Sequence, residues 1–218
     1  MEDFHKQESI FNPLEFDEEV TIIGAGSIGS FVNLSLTKMG LNTSVWDFDV
    51  LEEHNIPNQF YRLEDIGRHK IEALNDIVNS FSNRRTKIRD IKVDETTDLD
   101  ELKGIVISAV DSMKVRKIIW EKCKFNINLK AFIDSRMGGE VMKIYTINPN
   151  DMDDIELYES TLHTDEEAST DTCSVQTIIY NILVVSGFIA NQVKKVLKIE
   201  NFNKEIIFDL KTMTLLKR

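Results

Sequence analysis

One glycine-rich segment of the sequence has a spacing that could bind phosphate. Gly24, Gly26 and Gly29 form the pattern G-x-G-x-x-G, directly after the apolar run 20–23 and before apolar residues at helical spacing. Glycines at this spacing let backbone N–H groups approach a phosphate, and the N-terminus of the following helix adds partial positive charge. The same spacing also suits a tight strand–helix turn that binds no ligand.

A carboxylate follows at the position where a nucleotide site would need one. Asp47 lies 18 positions after Gly29, near the end of the second apolar run, residues 44–48. There a carboxylate can accept hydrogen bonds from ribose hydroxyls. The glycine pattern and Asp47 together predict a nucleotide or dinucleotide site, but they do not by themselves distinguish ATP from NAD or FAD.

Four further segments narrow the choice because they follow one another in a characteristic order. The four segments are Asp47-Phe-Asp49, Asn55-Ile-Pro-Asn-Gln59, Asp65-Ile-Gly67 with Lys70, and Ala109-Val-Asp111-Ser with Arg116. In order and spacing they resemble the ThiF/MoeB/HesA family, the bacterial relatives of ubiquitin-activating enzymes, over about residues 20–196. The run Arg136-Met-Gly-Gly139 also resembles the glycine-containing segment that leads into the family's antiparallel strands.

The resemblance implies an adenylation reaction on a protein carboxylate. A small ubiquitin-like or sulfur-carrier protein ending in Gly-Gly would attack the α-phosphate of ATP with its C-terminal carboxylate and release pyrophosphate. Because charge builds on the phosphates, cations must be in place, and the implied cofactors are ATP and Mg²⁺. Little acid–base catalysis is needed, since a carboxylate is already ionised at neutral pH. The family usually forms homodimers, so the resemblance also implies a homodimer.

The resemblance further implies roles for individual residues. Lys70 would contact phosphates, and Asp111 would coordinate Mg²⁺ through a hard oxygen. Asn55 would lie beside the nucleotide, whereas Asp49 is interpreted as structural or as a support for its neighbours. The nucleotide-binding set predicted in this way is Gly24, Gly26, Ser27, Ile28, Gly29, Asp47, Asp49, Asn55, Gln59 and Lys70.

Several of these roles have a simpler alternative. Lys70 could be a solvated lysine at the start of a helix. Asp111 could cap the helix that follows it, as aspartate commonly does. Asn55 could belong to the turn before Pro57.

The sequence departs from the family pattern at Asn58, where the family usually has a phosphate-binding arginine. Asparagine cannot replace the bidentate donor that an arginine provides. Arg62 lies four residues later and, in a helical turn, would share a face with Asn58. We hypothesise that Arg62 takes over the phosphate contact; the alternative is a surface arginine.

A cysteine completes the catalytic candidates, which are Lys70, Asp111, Arg62 and Cys173. Cys173 lies between an acidic stretch and a long apolar segment, where some family members place a thiol that joins covalently to the carrier. A nearby helix N-terminus favours the thiolate, whereas neighbouring carboxylates oppose it, and a buried, inert cysteine is the alternative. The C-x-x-C pairs of the family are missing, so no structural zinc is expected.

The charge balance limits the class of partner. The 218 residues carry 26 Lys and Arg against 37 Asp and Glu, a formal charge of −11, and nine carboxylates lie within residues 151–171. This acidity argues against a nucleic-acid backbone or an anionic membrane as the main partner. The longest apolar stretch, residues 178–190, is too short to span a bilayer. The N-terminus lacks the pattern of a signal peptide, so we expect a cytoplasmic protein.

Alternating strand and helix patterns predict how these residues are held. They indicate an α/β fold with a doubly wound, Rossmann-like and mainly parallel sheet, extended by antiparallel strands toward the C-terminus. The acidic stretch is expected to be a long loop with a short helix, and residues 1–218 to form one domain. The predicted strands are 20–23, 44–48, 105–110 and 131–134, a weak strand at 91–93, an antiparallel strand at 140–147, and one or two edge strands within 205–216; a long helix is predicted from Val175 to Val196.

Two functions other than adenylyl transfer stay open at this point. One is a nucleotide-binding or interaction module of reduced catalytic ability, for which Asn58 would be the mark. The other is an NAD-dependent oxidoreductase. That function explains the glycine pattern and Asp47, but it leaves Lys70 and Asp111 without a task.

Overall fold

The computed structural model describes residues 3–82, 86–163 and 177–218. Within them, eight strands form one sheet and five α-helices cover it. The strands are β1 (Glu19–Ile23), β2 (Asn42–Trp46), β3 (Lys87–Arg89), β4 (Gly104–Ser108), β5 (Leu129–Gly138), β6 (Val141–Ile147), β7 (Glu205–Asp209) and β8 (Thr214–Lys217). The helices are α1 (Ser27–Lys38), α2 (Lys70–Ser82), α3 (Met113–Cys123), α4 (Met152–Glu159) and α5 (Ile179–Leu197).

The strand order explains where a ligand can bind. Across the sheet the order is β3-β2-β1-β4-β5-β6-β7-β8, with β1 to β5 parallel and β6 to β8 antiparallel. This confirms the predicted α/β sheet and its antiparallel C-terminal extension. The chain moves outward from β1 to β3 and then returns to the other side of β1 with β4. Such a reversal opens a crevice at the carboxyl ends of β1 and β4.

The central strands are covered on both faces. In β1, Ile22 belongs to the core beneath α1, α2 and α5, whereas Ile23 belongs to the core beneath α3 and α4. Successive side chains of a strand point to opposite faces. A strand between two helical layers must therefore be apolar throughout, as β4 is over Ile105, Val106 and Ile107, all of them fully buried.

One predicted strand was wrong. Residues 91–93 do not form a strand, and β3 instead runs over Lys87–Arg89 in parallel with β2. β3 lies at the edge of the sheet and carries charged side chains, as edge strands often do, so it lacks an apolar run. Ile91 and Val93 are apolar for another reason: they pack on the core beneath α3 and α4.

The acidic stretch begins with a short helix, α4. Asp151 caps it, because its Oδ1 accepts a hydrogen bond from Asp154 N at 3.1 Å. The long helix predicted from Val175 is α5, and the part of that prediction before residue 177 lies outside the described residues. The tail forms two strands, β7 and β8. None of the helices in the described ranges is long and apolar enough to cross a membrane.

Candidate functional site

The glycine pattern lies at the crevice between β1 and β4. It leaves β1 after Ile23 and becomes α1 at Ser27. Gly24 has a φ of +101°, and a Cβ at this position would lie 2.6 Å from Ala109 O, in the backbone that follows β4. A Cβ at Gly29 would lie 1.9 Å from Gly24 O. Close backbone packing therefore requires both of these glycines.

Gly26 differs from the other two glycines. A Cβ added there would meet no atom within 4 Å, and Gly26 lines the cleft at the crevice. Gly26 directly precedes α1, whose first backbone N–H groups have no partner within the helix. The open space beside Gly26 is thus a place where a phosphate can approach a helix N-terminus.

Asp47 connects the glycine loop to the end of β2. Its Oδ2 accepts a hydrogen bond from Ala25 N at 2.6 Å, and its Oδ1 accepts one from Asp49 N at 2.7 Å. Burial raises the pKa of the Asp47 carboxyl above its usual 3.8, and the two backbone donors oppose this rise. Each carboxylate oxygen has a second lone pair, which can accept a bond from a ligand hydroxyl.

Lys70 is a buried lysine at the start of α2. Its backbone N–H donates to Asp49 O at 2.9 Å, and its Nζ donates to Asp49 Oδ2 at 2.7 Å. Only 6% of Lys70 is exposed, and the residue lines the cleft. The alternative of a solvated surface lysine is therefore wrong.

The segment between β2 and α2 crosses over the glycine loop. Tyr61 OH donates a hydrogen bond to Ala25 O at 2.7 Å, which holds the segment against the loop. From this segment Asn55 and Gln59 line the cleft. Asn55 Oδ1 also accepts a hydrogen bond from Glu52 N at 2.9 Å, so Asn55 shapes its own turn as well as the cleft wall.

Asp111 lies on the other side of the crevice, after β4. It is exposed and lines the cleft. The alternative that Asp111 caps the next helix is wrong, because Ser112 does so: its Oγ accepts a hydrogen bond from Val115 N at 3.3 Å. The described residues contain no group of three or more His, Cys, Asp or Glu that could hold a metal ion. Asp111 nevertheless fits Mg²⁺, which proteins bind through one or two carboxylates together with substrate phosphates.

Arg116 positions the backbone that carries Asp111. Its guanidinium donates hydrogen bonds to Val110 O and to Ser135 O, and it forms a buried ion pair with Asp134. These contacts join the carboxyl ends of β4 and β5. The sequence placed Arg116 in the family pattern but gave it no task, because its acceptors lie on strands that only the fold brings together.

Most of the groups described above line one cleft of about 1110 Å³. It extends across the carboxyl ends of the parallel strands, and apolar side chains share its wall with polar ones. Among the apolar side chains of the wall are Ile91, Val93, Val110, Met113 and Val115. The predicted residues that line it are Gly24, Gly26, Ser27, Ile28, Asp47, Asp49, Asn55, Gln59, Lys70 and Asp111.

Two predicted residues do not line the cleft, and a third lies outside the described residues. Gly29 packs beneath the loop. The guanidinium of Arg62 donates to both oxygens of Asp65, at 2.8 and 2.9 Å, and the structure does not bring it to the cleft. The prediction that Asn58 and Arg62 share one face of a helical turn was wrong, because the chain between them is not helical. Cys173 lies outside the described residues. The other cysteine, Cys123, is buried, and burial raises the pKa of its thiol well above its usual value.

Other polar residues of the cleft wall were not among the predicted site residues. Asn58 lines the cleft and donates from Nδ2 to Thr177 Oγ1 at 3.1 Å. Lys92, Arg136 and Lys143 add positive charge to the same wall. Arg136 was visible only as part of the run before the glycine pair. No local signal separates Lys92 or Lys143 from solvated lysines, which are the common case.

Comparison with known proteins finds one family model and two curated relatives that match this chain. The model of the ThiF family matches residues 14–217. The NEDD8-activating enzyme E1 catalytic subunit of Dictyostelium discoideum is 30% identical over 119 residues, covering 51% of this chain and 26% of that protein. Ubiquitin-like modifier-activating enzyme 5 of Caenorhabditis briggsae is 24% identical over 122 residues, covering 49% and 28%. The matched regions thus span about a quarter of the length of each relative.

Solved structures share the fold at low sequence identity. E. coli MccB, in a crystal structure with AMPCPP and MccA, has a TM-score of 0.74 and 17% identity, over 93% of this chain and 63% of that chain. The crystal structure of PaaA has a TM-score of 0.72 and 16% identity, over 93% and 64%. At these identities the similarity shows the fold, and this chain spans less than two thirds of either protein.

Proposed function

We propose, because this chain belongs to the ThiF family, that its cleft binds ATP and activates the C-terminal carboxylate of a ubiquitin-like or sulfur-carrier protein. One observation carries the proposal: the glycine loop, Asp47, Lys70 and Asp111 line the same cleft. These groups come from four separate segments of the chain. A nucleotide with its phosphates and a metal ion needs all of them in one place.

The four groups favour one orientation of ATP. Asp47 would accept hydrogen bonds from the ribose hydroxyls at the end of β2. The phosphates would lie in the open space beside Gly26, with the N-terminus of α1 and the ammonium of Lys70 compensating their charge. Ile91 and Val93 offer apolar surface to the base in the same cleft.

The proposed reaction is a displacement at phosphorus. A carboxylate oxygen forms a bond to the α-phosphorus, and the bond from that phosphorus to the bridging oxygen of pyrophosphate breaks, with the electron pair leaving on pyrophosphate. No proton has to be removed, because the carboxylate is ionised at neutral pH. The chain contributes positioning and charge: backbone N–H groups of the glycine loop, the Lys70 ammonium, and Arg116 as the support of Asp111. Asp111 would hold Mg²⁺, which when bound neutralises phosphate charge.

The partner is proposed from the family and the relatives. Both curated relatives are named for the activation of ubiquitin-like modifiers or NEDD8. We therefore propose a small carrier protein with a Gly-Gly C-terminus, of the ubiquitin-like or sulfur-carrier class. That the protein forms a homodimer and that it is cytoplasmic are predictions made from the sequence.

Two measurements test the proposal. In a thermal-shift titration, ATP is expected to raise the unfolding temperature and NAD is not, since a ligand that binds only the folded state stabilises it. In a pyrophosphate-exchange assay, a candidate carrier protein is expected to support the exchange of pyrophosphate into ATP. The same carrier without its last glycine is expected not to support it. Loss of exchange in Lys70→Ala and Asp111→Asn would show that the exchange reaction takes place in this cleft. A failure of ATP to bind would overturn the proposal, whereas binding without exchange by any carrier would favour a nucleotide-binding module.

A further inference from the structure

Two basic residues lie directly opposite each other at one end of the cleft. Arg136 of β5 pairs with Lys143 of β6 in the antiparallel register, and both residues line the cleft. Side chains at directly opposite positions project from the same face of a sheet, and like charges placed there are destabilising. The pairing of these two cations with each other therefore does not stabilise the sheet.

Arg136 shares its carboxylate partner, Asp134, with a second arginine. Its Nε donates to Asp134 Oδ2 at 2.9 Å, and its two terminal nitrogens donate to the backbone oxygen and the hydroxyl of Thr161 at 2.8 and 3.0 Å. Asp134 also forms the ion pair with Arg116. One buried carboxylate thus contacts two guanidinium groups.

Lys143 has no compensating carboxylate among the described residues. On its other side it pairs with Ile207 of β7, so the acidic neighbours Glu205 and Asp209 occupy diagonal positions. Neither forms an ion pair with Lys143. Asp209 instead accepts hydrogen bonds from backbone N–H groups of the turn between β7 and β8. In a chain with a net charge of −11, Lys143 thus has no ion pair among the described residues, and it lies opposite an arginine that shares its carboxylate.

The position of the pair relative to the other charged groups indicates what it could bind. Lys70 and its partner Asp49 lie on the β2 side of the crevice, and Asp111 follows β4. β6 is two strands beyond β4, about 10 Å away at the usual strand spacing. Asp111 therefore lies between Lys70 on the β2 side and Lys143 on the β6 side.

We propose that Lys143, with Arg136 beside it, binds the C-terminal carboxylate of the second substrate before that carboxylate attacks the α-phosphate. This inference rests on the proposed function. In a displacement at phosphorus the attacking and leaving oxygens are roughly in line, so pyrophosphate leaving toward Lys70 requires the carboxylate to arrive from the opposite side. A carboxylate that approaches a triphosphate meets like charge, and a cation on its path compensates that repulsion.

The test compares two peptides that differ only in charge at the end. One peptide ends in Gly-Gly with a free carboxylate, and the other ends in Gly-Gly amide. Both are titrated by calorimetry into the full chain saturated with AMPCPP. The variants are Lys143→Gln, Lys143→Arg and, as a matched control, Lys217→Gln, which changes an exposed lysine on β8.

The wild-type chain is expected to bind the carboxylate peptide about tenfold or more tightly than the amide, the ratio typical of one charge-assisted hydrogen bond. Lys143→Gln should remove this preference, whereas Lys143→Arg and Lys217→Gln should keep it. The unfolding temperature of Lys143→Gln should equal or exceed that of the wild type, because one of two like charges at opposite strand positions is removed.

Two results would overturn the inference. One is that the wild-type chain binds the two peptides with equal affinity or binds neither of them. The other is that Lys143→Gln still prefers the carboxylate peptide. A separate titration of ATP without peptide distinguishes this failure from that of the proposed function. ATP binding without a carboxylate preference rejects only the role of Lys143. Absence of ATP binding rejects the proposed function itself.

Discussion

The ammonium of Lys70 lies 2.7 Å from the carboxylate of Asp49, within the cleft that contains the glycine loop. The two partners are unequal in burial: the Lys70 side chain is 8% exposed and that of Asp49 is 45% exposed. The lysine is thus held in place by its surroundings, while its partner faces solvent. A phosphate that enters the cleft would compete with Asp49 for the ammonium.

This competition predicts opposite effects for the two partners. Lys70→Ala should weaken ATP binding about tenfold or more, because it removes a charge-assisted hydrogen bond to phosphate. Asp49→Asn should strengthen ATP binding a few-fold, because it removes an anion that competes with the phosphates. Isothermal titration of both variants measures the effects. Lys114→Ala is the control, since Lys114 is exposed, pairs with Glu95 and does not line the cleft. Weaker ATP binding in Asp49→Asn would contradict the competition.

A second prediction separates Gly26 from the other loop glycines. Gly26→Ala should fold normally, at a cost below about 1 kcal/mol, because a Cβ there meets open space. It should weaken ATP binding about tenfold or more, since the methyl group occupies the space proposed for a phosphate. Gly187→Ala is a matched control: it also has open space, lies on the exposed side of α5, and should gain roughly 1 kcal/mol of stability without affecting ATP. Normal ATP affinity in Gly26→Ala would place the phosphates elsewhere.

A third prediction concerns the ribose contact of Asp47. The wild-type chain should bind ATP about tenfold more tightly than 2′,3′-dideoxy-ATP, and Asp47→Asn should bind the two nucleotides almost equally. Asparagine offers one acceptor oxygen in place of two, so this variant also loses a bond from Ala25 N or Asp49 N. For this reason the ratio of the two affinities, and not the affinity for ATP alone, reports the ribose contact. An unchanged ratio in Asp47→Asn would show that the carboxylate only supports the loop.

A fourth prediction uses the pH dependence of Asp65. Hydrogen bonds and the charge of Arg62, followed by Arg68, lower the pKa of this buried carboxyl below its usual 3.8. A carboxyl with a lowered pKa in the folded state stabilises the fold above the pKa of the unfolded state, and this contribution is lost as the pH falls through the folded pKa. Asp65→Asn should therefore lower the free energy of unfolding by about 2 kcal/mol at neutral pH, and by progressively less below about pH 4.

The control for this measurement is Asp76→Asn. Asp76 also pairs with Arg68, at 2.7 Å, but its side chain is 56% exposed. A surface pair of this kind contributes at most about 1 kcal/mol. Urea unfolding from pH 7 to about pH 3 gives both values. An equal loss in the two variants, or a loss in Asp65→Asn that does not change with pH, would contradict the assignment.

The residues that local patterns could identify are those whose partners lie nearby in the chain. The strand before Gly24, the helix after it and the acidic residue ending β2 follow from periodicity and spacing, and the structure has all three. β3 was misplaced because an edge strand carries charged residues and lacks an apolar run. Asp111 and Ser112 are both good helix caps, so only the hydrogen bond at Ser112 could decide between them.

Arg62 and Lys143 show what sequence reasoning could not reach. Both are basic residues in a strongly acidic chain, and each lies a few residues after a segment of the family pattern. In the folded chain Arg62 donates a hydrogen bond to Asp65, three residues away, whereas Lys143 lies in the cleft wall. The direction of a long side chain depends on which groups lie beside it in the folded structure. The sequence does not contain the distances between such groups.

The sequence alone determined the α/β alternation, the glycine loop with its carboxylate partner, and the family, because each depends on the order of residues along the chain. The tertiary structure decided which of the candidate side chains share a cleft. It joined the ends of β4 and β5 through Arg116 and set Arg136 opposite Lys143. The physical reason is that strand order and register bring together residues far apart in the chain, and charge acts across space.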